Sequence, residues 1–256
     1  MSFDDDLNAC AALVEKADPD RFAASMAAPV AARRVLFPLF AFNTEVARAP
    51  WVTQEPMIAE MRLQWWRDAL KEIAARGVVR RHEVVTPLAT ALMPDQAAAL
   101  DGLIDARRRD IASDPFANED EMWAYLDATT GTLLWTAAQA LGAPDSDQAP
   151  LRRTTRAIGF ANWLTALPEL EARGKRPMYD GRPETLARLA KSTLTDLRAQ
   201  RGLSTASRTA LLSGWRARHI LKTTARHPQR VARGALLTPA LWRSLALTRA
   251  RLTGRI

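Results

Sequence analysis

The sequence predicts an all-α protein forming one domain over residues 1–256. Three observations carry this: apolar residues recur at helical spacing, helix caps and breakers punctuate the chain at short intervals, and strand-type alternation is nearly absent. A hydrophobic content of 48% with 25% charged residues is ordinary for a globular chain and leaves enough to bury a core.

In order, residues 7–17 and 30–49 read as helices. Between 58 and 77 there are two apolar stripes: Ile58, Met61, Trp65, Ala69 and then Leu63, Trp66, Leu70, Ala74. A helix with two stripes is expected to be buried on most of its circumference, leaving Glu60, Gln64, Arg67 and Lys71 as its wet edge. Pro56 suits its first turn and Gly77 its end. Residues 78–87 read as a loop, and 96–112 as another helix. Asn118 is a good cap, with Glu121 three residues on as in a capping box. From it one helix is expected to run to about Gly142, presenting Met122, Tyr125, Thr129, Leu133 and Ala137. The next covers 151–172 and is stopped by Gly174. Pro183 opens another, with Leu186, Leu189 or Ala190, Thr193 and Leu197 before Gly202. Ser204 can cap a helix that Pro228 terminates. The last, at 239–252, shows Leu241, Leu245 and Leu252. The total is roughly eight or nine helices with no long linker and no repeat.

No apolar run approaches the roughly 20 residues of a spanning helix; the longest, 35–42, is interrupted by Pro38. Asp4, Asp5 and Asp6 are the opposite of a basic signal-peptide start. Cys10 is the only cysteine, which fits a reducing compartment. A soluble, cytoplasmic protein is expected, with a peripheral place at the inner membrane as the variant that its charge suggests. Net charge is +8, but residues 151–256 carry net +17 and residues 1–150 net −9. From about 197 onward thirteen basic and no acidic side chains occur. Either this part meets an anionic membrane surface or an acidic protein, or it packs on the acidic half of its own domain. Arg216, Arg218 and Lys222 are the candidate contact residues. Nucleic acid is not expected, because no reading motif accompanies the charge.

Several chemistries lack their residues. No Gly-rich phosphate loop, Ser nucleophile elbow or zinc-type Cys pattern is present. His82, His219 and His227 show no metal spacing. Asp101 with Asp105, and Asp110 with Asp114, share faces at i, i+4, and Arg107, Arg108 and Arg109 suggest intrahelical ion pairs for them.

Four ordered segments resemble the squalene and phytoene synthase family. The first is Asp18-Pro19-Asp20-Arg21-Phe22, followed by Arg33-Arg34 and Phe40-Ala41-Phe42-Asn43. The second is Arg62-Leu63-Gln64-Trp65-Trp66-Arg67-Asp68-Ala69-Leu70. The third is Asp105-Ala106-Arg107-Arg108, leading into Tyr125 and Thr130-Gly131. The fourth runs from Ala166-Leu167-Pro168 through Ala172-Arg173-Gly174-Lys175. The likeness covers roughly residues 10–235 and is strongest to the degenerate branch that includes the phytoene-synthase-like mitochondrial complex I assembly factor. It implies a single-domain helical bundle of the isoprenoid synthase type.

Active members of that family hold magnesium ions between two Asp-rich helix segments and the diphosphates of their substrates. The resemblance places the first segment at Ala47, Arg48 and Trp51, and the second near 166–170, where only Glu169 is acidic. Mg²⁺ wants oxygen ligands, so neither cluster survives. Asn43 and Glu45 are nearby but two apart, and so not on one helix face. Glu45 is either a carboxylate paired with Arg48 or Arg33, or a metal ligand. Arg62, flanked by Ile58 and Ala59, is expected to be partly buried, with Glu45 as its partner. It is either half of a structural ion pair or a single anion-binding group lining a cavity. Asn162 either points into the former cavity or is hydrogen-bonded core. The candidates for lining a residual cavity are therefore Asn43, Glu45, Arg48, Trp51, Arg62, Trp65, Asn162 and Glu169, with no catalytic residue and no metal ligand among them. The reading is a non-catalytic relative serving as a binding or assembly factor of the complex I type at a membrane face. It has no cofactor and has room for a lipid or isoprenoid. The alternative is a transferase coupling prenyl diphosphates, with Mg²⁺ on atypical ligands.

Overall fold

Several helices begin where a cap or a proline starts them. Asn118 Oδ1 accepts from Glu121 N at 2.9 Å, Ser204 Oγ accepts from Ser207 N at 3.2 Å, and Asp18 Oδ1 accepts from Arg21 N at 3.0 Å. The computed structural model describes residues 3–53, 55–112, 114–200, 202–236, 240–254 and 256, and the regular structure among them is helical throughout. The α-helices are α1 (Phe3–Ala17), α2 (Pro19–Ala27), α3 (Arg33–Arg48), α4 (Pro56–Ala74), α5 (Val85–Ala91), α6 (Pro94–Arg107) and α7 (Glu119–Leu126). They continue with α8 (Thr132–Ala140), α9 (Gln148–Ala172), α10 (Pro183–Asp196), α11 (Thr205–Leu211), α12 (Ala217–Arg226), α13 (Gln229–Ala232) and α14 (Ala240–Thr253).

The longest helix, α9, is the hub, with α7, α8 and α10 to α13 all packed on it. On the other side α1 lies on α3 and α4 on α6, so the aromatic interior of α3 (Phe37, Phe40, Phe42) meets one continuous core. Burying side chains of this size contributes roughly 1.5–3 kcal/mol each. Pro38 lies inside α3 without ending it.

Several sequence expectations fail for identifiable reasons. The helix expected from Asn118 to Gly142 is two, joined by a π-helical turn at Asp127–Gly131. That wide turn packs on α9 at Gly159, where a Cβ would stand 3.2 Å from Thr130 Cβ. The helix expected from Ser204 to Pro228 is also two, broken at Leu212–Gly214. There Gly214 lies against Ile158 of α9, and an added Cβ would fall 2.4 Å from the Ile158 side chain. The expected 78–87 loop gives way to α5 after Thr86 Oγ1 accepts from His82 N. The short α2 was not foreseen, although Asp18 and Pro19 are its cap and first residue.

The Ile58, Met61, Trp65 stripe of α4 is not buried: Met61 is 65% exposed and Ile58 45%. The core takes only Ala59, Leu63, Trp66, Leu70 and Ile73 from this helix, with Ala69. Leu245 and Leu252 are exposed on α14, while Pro239 and the side chain of Leu241 lie outside the described residues. No described helix is long and apolar enough to cross a membrane.

Candidate functional site: a cation-rich cavity

A cavity of about 250 Å³ opens between α3, the end of α6, the π-turn after α7, α9 and the strap at 175–177. One wall is aromatic. Tyr125 and Phe116 pack on Trp163 at 5.3 and 5.6 Å between ring centroids, and Trp163 Nε1 donates to Pro177 O at 3.1 Å. The other wall is charged, with Arg21, Arg107, Arg109, Lys175 and Arg176 against Asp110 and Asp114.

Most of these charges are already engaged. Arg107 Nη1 donates to Tyr125 Oη at 2.7 Å and to Asp110 Oδ2 at 3.0 Å, while the Tyr125 hydroxyl donates to Asp110 Oδ1 at 2.8 Å. Burial, reinforced by Asp110, holds the Tyr125 hydroxyl well above its ordinary pKa, so it stays a neutral donor. Burial alone would lower Arg107, but the Asp110 charge and the hydrogen bonds Arg107 donates to Asp110 and the Tyr125 oxygen offset it, and the guanidinium stays charged. Arg21 stacks over Phe40 at 5.3 Å and is depressed by burial despite Asp18. Arg109 bonds Glu121 at 2.7 Å and lies 4.1 Å over Phe116. Lys175 Nζ donates to the carbonyls of Asp110, Ile111 and Ala112, tying the strap to the turn after α6. Trp51 lies beneath Arg173 and Lys175, each about 5 Å from its ring centroid. Arg176, at the mouth, is exposed and has no ion-pair partner among the described residues.

The sequence candidates are dispersed. Trp51 and Asn162 line this cavity, together with Ala47, Ala166 and Leu170. Glu45, Arg62 and Trp65 line a separate, shallower hollow with Ala49, Trp66 and His82. Asn43 is buried in α3 and lines neither. Arg48 pairs with Glu45 at 3.0 Å, and Glu169 pairs with Arg173 on the surface. Arg62 is therefore not the partner of Glu45; it is exposed, because the core turns the Ala59–Leu63–Trp66 face inward instead.

The aspartate pairs expected to be intrahelical reach further. Asp101 takes both ends of Arg67 across to α4, at 2.6 Å each. Asp110 binds Arg107 three residues back but also Tyr125. Arg21, Arg107, Tyr125 and Lys175 stand in the segments that carry the family resemblance, but nothing local shows that α2, α6, α7 and the strap converge on a cavity.

In the basic part, Arg216 is turned inward and ion-pairs with Asp20 on α2. Arg218 donates from Nε to the Ile256 carbonyl at 3.1 Å. Of the three candidate contact residues only Lys222 is exposed. Exposed cations do occur nearby, at Arg226, Arg230 and Arg233.

An all-helical domain with its helices in this order has the isoprenoid synthase fold. A solved dehydrosqualene synthase superposes over 98% of this chain and 97% of its own, with a TM-score of 0.79 at 12% identity. A squalene synthase from Alicyclobacillus acidocaldarius matches with a TM-score of 0.57 at 18% identity, over 98% and 95% of the two chains. The family model for squalene/phytoene synthase matches residues 14–241, and the chain belongs to that family. Similar curated proteins are assembly factor 6 of NADH dehydrogenase (ubiquinone) complex I from Homo sapiens and its homolog from Drosophila melanogaster. They are 26% and 30% identical over 65% and 62% of this chain. The chain spans about half the length of the curated relatives it matches.

Proposed function

We propose that this protein is a non-catalytic member of its family, a binding and assembly factor acting in the biogenesis of a respiratory NADH dehydrogenase complex. The observation that carries the reading is the cavity lining where the family's metal-binding aspartates would fall. Ala47 on α3, Trp51 in the turn just after it, and Ala166 and Leu170 on α9 all line the cavity, and their side chains offer no oxygen donor. These residues do not fit Mg²⁺, which needs carboxylate or similar oxygens. No three His, Cys, Asp or Glu side chains converge among the described residues. Asp110 and Asp114 do reach the cavity and are what favours the alternative, a transferase with atypical ligands. Against it, both Asp110 oxygens are held by Arg107 and Tyr125.

The cation-rich lining suits an amphiphile with an anionic head held without a metal, its tail against Phe116, Trp163 and Leu170. The similarity to complex I assembly factors supports the assembly role, and the exposed cations around α12 and α13 support action at an anionic membrane face or on an acidic partner.

Two measurements test this together. Purified protein with farnesyl or geranylgeranyl diphosphate and Mg²⁺ should give no coupled product, since losing metal stabilisation of the departing diphosphate costs several kcal/mol and each 1.36 kcal/mol is about tenfold in rate. Deleting the gene in its native host should deplete assembled complex I, and re-expression should restore it. Product formation abolished by Asp114→Ala would establish the transferase instead, and normal complex I in the deletion strain would reject the assembly role.

A further inference from the structure

The outward face of α4 is apolar. Met57 (73% exposed), Ile58, Met61 and Trp65 follow one another along it, with Val52 just before the helix. At this spacing they form a single stripe about two turns long. Its anchor is preset, because the Trp65 ring stands 4.9 Å from Trp66 and 5.1 Å from His82, with the Arg80 guanidinium 4.8 Å over it. Aromatic side chains held this way lose little freedom on binding.

The charges beside the stripe name its occupant. Glu60 is engaged by Arg108, Arg67 by Asp101, and Asp68 by Lys71. Glu55 and Arg62 lie along one edge of the stripe, exposed and without an ion-pair partner among the described residues. They are opposite in sign and seven residues apart, about 10 Å along a helix. An identical helix laid antiparallel across a two-fold axis near residues 58–59 brings Glu55 to Arg62 of the second copy, and Arg62 to its Glu55. The same operation leaves Ile58 at the centre of the seam. A parallel pairing would oppose like charges, and this balanced edge gives an anionic membrane nothing to select.

We infer that the α4 stripe is the self-complementary interface of a homodimer, two copies packed antiparallel with reciprocal Glu55–Arg62 pairs. Standard interfaces bury roughly 800 Å² per partner, and a two-turn seam with its flanks gives a reversible association.

Sedimentation velocity on the full chain across micromolar concentrations reads this directly. The wild type should rise towards twice the chain mass. Met61→Glu should stay monomeric while its circular dichroism melting curve matches the wild type, because the side chain is exposed. Glu55→Arg and Arg62→Glu should each weaken dimerisation roughly tenfold, and the double swap should restore it, because both reciprocal pairs are rebuilt with reversed sign. A wild type that is monomeric throughout, a dimer that survives Met61→Glu, or a double swap no better than the singles would each overturn the inference. A monomer that binds neutral vesicles through Met61 would give the face to a lipid surface instead.

Discussion

Arg216 precedes α12, and its guanidinium reaches across the fold to Asp20 on α2, with only 12% of the side chain exposed. Its Nε and Nη2 are buried without a partner, so the residue serves the interior rather than a surface. Charge reversal here leaves Asp20 opposed by a second carboxylate, and Arg216→Glu should lower stability by about 2–3 kcal/mol. Lys222→Glu, at an exposed position, should stay within about 0.5 kcal/mol of the wild type. Urea midpoints of the two variants decide the point, and equal midpoints would mean that the Asp20 pair contributes nothing. The Arg67 guanidinium holds the Asp101 carboxyl below the usual carboxylate range. A lowered folded pKa stabilises above the unfolded value near 3.9, and that contribution is lost as pH falls through the folded one. Arg67→Met should therefore cost about 1 kcal/mol at pH 7, and the difference should vanish in acid. A gap that persists at pH 2 would point to lost packing of the arginine stem instead.

At the scale of elements, α9 decides where its neighbours break. Gly214 lets the turn between α11 and α12 settle on Ile158, and Gly159 lets the π-turn settle on α9 from the other side. Gly214→Ala should cost about 1–3 kcal/mol, because its Cβ meets a side chain that is 1% exposed. In an Ile158→Ala background the same change should cost clearly less, since the clash has gone. Additive urea midpoints in that double-mutant cycle would show that the glycine is needed for its backbone and not for this contact. The π-turn places Thr129 and Thr130 on the cavity wall, which a regular helical turn would carry round to another direction.

For the whole molecule, the charge asymmetry is partly neutralised inside the fold and partly left at the surface. Asp20 with Arg216, and Asp127 with Arg152 and Arg156, join the acidic first half to the basic second half. Lys222, Arg226, Arg230 and Arg233 remain exposed around α12 and α13. Vesicles containing phosphatidylserine should therefore bind the protein at low salt and release it as salt rises, each nearby cation adding on the order of 1 kcal/mol. The pair Lys222→Glu and Arg226→Glu should weaken binding without moving the urea midpoint. Failure to bind at low salt would leave an acidic protein as the partner of this surface.

The sequence alone determined the helical class, because periodicity and caps are local: Asn118, Ser204 and Pro183 start helices where their side chains or ring dictate. It also determined that Ala47, Trp51 and Leu170, where the resemblance places the family's aspartate segments, carry no carboxylate. What only the tertiary structure decided is direction and company. Two stripes on α4 are equally apolar in sequence, yet α3 and α6 cover one and leave the other in solvent. The resemblance points to Arg48 and Glu169 as cavity residues, and the neighbours of Arg62 point to it as well, but all three are exposed, and Arg107, Tyr125 and Lys175 take the cavity wall. Thirteen cations in one stretch look alike on paper, while a single acidic residue on α2 turns Arg216 inward. The physical reason is the same throughout. Helix formation depends on neighbours within a turn, whereas burial and charge pairing depend on which distant surface arrives opposite.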